Sequence, residues 1–138
     1  MAFMVLLVRG AAVVLVCTAV VIAAPRKNAP KSEFDAEVTH VVDGDTFRFK
    51  ATILNVDIRG TCRMGEYNAP EIRRKEKPEG LKAKKRLDEL IGGKQVRIRT
   101  GDRDKYGRWL CTASTGTVSI GAEMREFLKG YAGLDKYL

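Results

Sequence analysis

Pro78-Glu79-Gly80-Leu81-Lys82-Ala83-Lys84-Lys85-Arg86-Leu87-Asp88-Glu89-Leu90-Ile91 is the stretch on which the fold turns. Ala83, Leu87, Leu90 and Ile91 recur at helical spacing and fall on one side, while Lys82, Lys84, Lys85 and Arg86 largely cover the rest. Pro78 suits a first helical turn, and Gly92-Gly93 stops the helix. On either side the period changes. Upstream, Val38, Val41 and Val42, then Phe47 and Phe49, surround Asp43-Gly44-Asp45, the pattern of two antiparallel strands joined by a tight turn. Thr52 to Met64 continues as a third β-rich run with Ile53, Val56 and Ile58. Downstream, Val96 and Ile98 alternate with Gln95, Arg97 and Arg99, and Trp109 to Ala113 supplies a fifth strand. A second helix is expected over Ile120 to Lys129, ended by Gly130.

The order β-β-β-α-β-β-α in about a hundred residues matches an all-β barrel with added helices: a five-stranded Greek-key OB barrel, with one helix between strands three and four and one at the C-terminus. With 138 residues there is room for one such domain and no second core. The expected division is a leader over 1–24, a flexible tether over 25–34 and the barrel over 35–138. Met1 to Ala24 carries a single charge, Arg9, before an apolar stretch from Gly10 to Pro25, and Ala23-Ala24 offers a cleavage site. Export to the periplasm or medium is therefore expected. The second reading is an uncleaved membrane anchor over 1–25, its span lengthened by Phe3 to Val8.

Net charge is +8, which suits a polyanionic partner. His40 is the only histidine, so Ser-His triads and multi-histidine zinc sites are argued against, and chemistry has to run on carboxylates and arginines. Beyond the leader there are two cysteines, Cys62 and Cys111, which suit either one disulfide or two buried thiols.

Three short motifs carry the functional signal. The first is Val42-Asp43-Gly44-Asp45-Thr46, a common hairpin turn when taken alone. It is not an EF-hand loop, because Phe47 and Leu54 stand where that loop needs oxygen ligands. The second is Arg63-Met64-Gly65-Glu66-Tyr67-Asn68-Ala69-Pro70-Glu71, and the third Asp104-Lys105-Tyr106-Gly107-Arg108. In this order, with a basic helix between the second and third, the sequence from about Val38 to Ala132 resembles the thermonuclease, or staphylococcal nuclease-like, family.

That resemblance implies a calcium-dependent endonuclease that is monomeric and acts on DNA or RNA. It implies that Asp45, Asn68 and the carbonyl of Ala69 hold the metal, that Glu71 is the general base, and that Arg63 and Arg108 grip the scissile phosphate. Lys105 and Tyr106 are implied to steady a neighbouring phosphate, and the products to end in a 3′-phosphate. The chemistry has its own logic. As water adds to a phosphodiester, negative charge grows on the equatorial oxygens, so cations are needed there and a base near the water. Arginine donates two hydrogen bonds from a planar fork and stays charged. The family most often has aspartate where this chain has Asn68, which removes one negative charge and weakens the expected calcium affinity. Glu66 would restore that charge only if the strand stayed regular to Pro70. The alternative class is a barrel that binds nucleic acid without cutting it.

Overall fold

The computed structural model describes residues 32–73, 75 and 77–130; the expected leader and most of the expected tether lie outside them. Its elements are β1 (Ser32–Val41), β2 (Thr46–Ile53), β3 (Val56–Met64), α1 (Lys77–Ile91), β4 (Gln95–Arg103), β5 (Trp109–Thr115), a two-residue β6 (Val118–Ser119) and α2 (Ile120–Lys129). The strands hydrogen-bond in the order β3-β2-β1-β4-β5-β6, and a parallel β3–β5 pairing closes the first five into a barrel. This is the expected barrel with its two added helices. β6 was not expected, since two residues beside a turn carry no period.

β1 begins at Ser32, three residues before the expected boundary, because Ser32 to Glu37 pair with Thr100 to Gln95 of β4. Its second half, Glu37 to Val41, pairs instead with β2. One strand serves two neighbours by bending, and the bend falls at a register shift between Val38 and His40. The β2–β3 hairpin turns on Leu54 and Asn55, with φ of 51° and 63°. Two left-handed residues give the local twist that lets a two-residue loop join twisted strands.

Alternation then sorts the side chains. In β4, Val96, Ile98 and Thr100 are buried between exposed Gln95, Arg97 and Arg99. Phe47 and Phe49 of β2 and Cys62 and Met64 of β3 point into the same core, joined by Ala83, Leu87 and Ile91 of α1 and by Ile120, Met124 and Leu128 of α2. Ser119 caps α2, its hydroxyl accepting from the Ala122 N–H at 3.3 Å. A disulfide joins Cys62 and Cys111, with Cα atoms 5.9 Å apart, and so ties together the two strands whose pairing closes the barrel.

Candidate active site

The turn between β1 and β2 is closed by the Val42 and Asp43 amides, which donate to the Thr46 carbonyl at 2.9 and 3.2 Å. Asp43 Oδ1 accepts in turn from the Asp45 N–H at 3.2 Å. Gly44 occupies the middle because nothing larger fits: a Cβ there would lie 2.6 Å from the Ala83 Cβ of α1 and 2.7 Å from the Ala69 Cβ. The turn is thus pressed between the helix and the segment that follows β3.

That segment grips the turn at three points. The Tyr67 hydroxyl donates to the Gly44 carbonyl at 2.8 Å, the Ala69 N–H donates to Asp45 Oδ2 at 3.0 Å, and the Met64 N–H donates to the Asp45 carbonyl at 2.8 Å. Asp45 is 7 % exposed, and its other carboxylate oxygen accepts from the Thr46 hydroxyl at 2.8 Å. Arg63 completes the cluster. Its Nη2 donates to Asn68 Oδ1 at 2.6 Å and lies 3.6 Å from Asp45 Oδ2. Asp45, Arg63, Asn68 and Ala69, separated by up to 24 positions in sequence, therefore meet in one place.

Burial, and then the charge of Asp45, raises the Asp43 carboxyl above its ordinary pKa. Tyr67 is pushed well above the usual phenol value, first by burial and then by the charges of Asp45, Asp43 and Glu66. It remains a protonated donor at neutral pH.

The third motif forms a compact loop ahead of β5. Asp104 Oδ1 accepts from the Tyr106 and Arg108 amides at 2.9 and 3.0 Å, and Oδ2 accepts from Arg108 Nε at 2.7 Å. Desolvation works to raise the Asp104 pKa, but the hydrogen bonds from the Arg108 side chain and from the two amides outweigh it and hold the carboxyl below its ordinary value. Gly107, at φ +79°, supplies the left-handed step of this loop. Tyr106 is exposed, with the Lys105 ammonium 5.0 Å and the Arg108 guanidinium 5.4 Å from its ring centroid. The β3–β5 register pairs Arg63 with Leu110. Arg108 is the residue directly before β5, the strand that pairs with β3 at Cys62 to Met64.

Glu71 lies three residues beyond Asn68, with an exposed side chain. Its backbone rests on α1 at Gly80, where a Cβ would come 2.6 Å from the Glu71 carbonyl oxygen. Glu66 does not rejoin the cluster: β3 ends at Met64, and the Glu66 carboxylate turns to Gly121 of α2, 3.9 Å from Arg125. Tyr67, Thr46 and Asp104 had no role in the sequence reading. Asp104, four residues before Arg108 in a turn, carried the only usable signal, that of an aspartate bonding its own loop amides.

Among the described residues no group of three or more His, Cys, Asp or Glu is arranged to hold a metal. The Asp45 carboxylate and the Asn68 amide oxygen, with Ala69 in the same segment, are hard oxygen donors of the kind calcium takes. The residues present thus fit such a cation.

The fold is thus a closed five-strand barrel with two helices, bearing a buried carboxylate beside an arginine at the β1–β2 turn. The family model described as staphylococcal nuclease homologue matches residues 61–137, and the chain belongs to that family. No curated protein matches it.

Proposed function

We propose that this chain is an exported nuclease hydrolysing phosphodiester bonds of DNA or RNA with the help of calcium. The observation that carries the reading is the meeting of Arg63 with Asp45 and Asn68, at 3.6 and 2.6 Å, on the strand whose parallel partner, β5, begins directly after Arg108. Asp45, Asn68 and the Ala69 carbonyl would hold the cation. When bound, it would lower the electrostatic cost of adding water to an anionic phosphodiester.

The protein's own groups do the rest. Arg63 and Arg108 bind the non-bridging oxygens of the phosphate and meet the charge that develops on them. Asp104 holds the Arg108 side chain in its loop, which limits the reorganisation needed when phosphate arrives. Glu71, exposed on the segment beside Asn68, takes the proton from the attacking water. Lys105 and Tyr106 steady an adjacent phosphate. The disulfide supports export, because such bonds persist in oxidising compartments.

The test is to incubate the purified chain with single-stranded DNA in calcium and in chelator. Release of acid-soluble nucleotides in calcium, and none in chelator, is expected. Salt-sensitive binding with no cleavage in any divalent metal would instead make this a nucleic-acid-binding barrel.

A further inference from the structure

We propose that the free edge of β3, Val56 to Gly60, pairs antiparallel with the same edge of a second copy of this chain, giving a two-fold symmetric dimer.

β3 has a strand on both sides over only part of its length. β2 pairs with Val56 to Arg63, whereas β5 pairs with Cys62 to Met64. Among the described residues, Val56 to Thr61 therefore present an open edge. The direction of their peptide groups follows from the far end of the strand. The Met64 N–H donates on the β2 side, to the Asp45 carbonyl, and the Gly65 N–H donates on the β5 side, to the Cys111 carbonyl. Successive residues alternate between the two sides, and the β2–β3 register runs without a shift, so the peptide groups of Asp57 and Arg59 point away from β2. They are donors and acceptors with no strand beside them.

An antiparallel neighbour can hydrogen-bond there only if its own outward-facing residues stand opposite. For two identical edges, that leaves few registers. Centring the pair on Asp57 or on Arg59 sets like charges against each other at the axis, which is unfavourable. Centring it on Gly60 runs the second copy into Arg63, a position that β5 already holds. Centring it on Ile58 sets Asp57 opposite Arg59 of the second copy, and Arg59 opposite Asp57 of the second copy. Both rungs then join opposite charges. In the same register Val56, which is 59 % exposed, falls opposite Gly60 of the second copy, where no side chain obstructs it.

Charged residues on an edge ordinarily keep it from pairing, but here their order favours one register. Nor do neighbouring groups consume these charges. Asp35 lies 2.8 Å from Arg97 and Glu37 lies 3.0 Å from Lys50, so the carboxylates nearest Arg59 on β1 are already met. Arg59 is exposed and has no ion pair among the described residues, and Asp57 accepts from the Thr52 hydroxyl at 2.7 Å. Because the same edge serves both copies, association closes at two chains. The dimer departs from the monomer that the family resemblance implies, and Arg63 lies outside the paired stretch.

The test is sedimentation equilibrium of the purified chain from about 10 µM to about 1 mM, the range of weak specific affinities. The native chain is expected to pass from one mass to twice that mass. Asp57→Arg and Arg59→Asp each turn both rungs into like-charge pairs, and each is expected to weaken association about tenfold or more with circular dichroism unchanged. Mixing those two variants sets arginines opposite aspartates again. The double reversal, Asp57→Arg with Arg59→Asp, does so within one chain at unaltered net charge. Dimers as stable as the native ones are expected in both cases. A native chain that stays monomeric at the highest concentration would overturn the proposal. So would association that survives either single change, or a folded double reversal that does not recover it.

Discussion

The phenol of Tyr67 donates a 2.8 Å hydrogen bond to the Gly44 carbonyl, and so joins the segment after β3 to the turn that carries Asp43 and Asp45. Both partners are buried, which makes this bond the internal brace of the site. Tyr67→Phe keeps the ring's packing and leaves a buried carbonyl without its donor. It is expected to destabilise the fold by about 1–3 kcal/mol. Denaturant midpoints check this, and an unchanged midpoint would show that water replaces the phenol.

Asn68→Asp adds the carboxylate that the site lacks. The extra negative charge is expected to tighten calcium binding and to raise activity at limiting metal. Calorimetric titration together with rates at low calcium measures both. No gain in either would mean that position 68 is not a ligand.

Gly80→Ala drives a methyl group toward the Glu71 carbonyl, 2.6 Å from where the new Cβ would sit. The obstacle is backbone, so the Glu71 segment has to move. The expected result is a folded protein, by circular dichroism, with cleavage reduced at least tenfold, since small displacements of a catalytic group are costly.

Asp104→Asn leaves the Arg108 guanidinium without its carboxylate partner and weakens two amide contacts in the same loop. Because the Asp104 pKa is depressed in the folded protein, its stabilising effect is present above the unfolded carboxyl value and fades as pH falls through the folded one. The native chain should therefore lose part of its stability on acidification that Asp104→Asn does not lose. Thermal melts of the two proteins across the acidic range would reveal the difference, and parallel curves would contradict it.

The Cys62–Cys111 bond spans 49 residues and ties the closing strands. Reducing it, or replacing both cysteines with alanine, is expected to cost about 2–4 kcal/mol and to lower the melting temperature. Mass analysis after alkylation without reductant should find no free thiol at either position.

Much of the barrel was legible because its strands alternate cleanly and α1 has an apolar stripe. Val96 and Ile98 between Gln95, Arg97 and Arg99 leave little choice of face. The site was legible only as letters. Nothing in the spacing of Asp45 and Arg63 says that they meet; β2 and β3 must first pair, so that Thr46 falls opposite Arg63. Tyr67 was missed for the same reason, since its partner is a backbone carbonyl 23 positions away. Glu66 illustrates the converse: alternation would have kept it beside Asn68, but β3 ends at Met64 and the carboxylate leaves toward α2. The early start of β1 was hidden because Ser32, Glu33 and Asp35 are polar and owe their strand conformation to pairing with β4.

The most direct test of the catalytic assignment is the single-turnover cleavage rate of a single-stranded oligonucleotide by Glu71→Gln in saturating calcium. Oligonucleotide affinity is measured alongside it. A rate reduced by about 10²–10⁴ with affinity retained is expected of a lost general base. Cleavage at the native rate, or equal cleavage by both proteins in chelator, would contradict it.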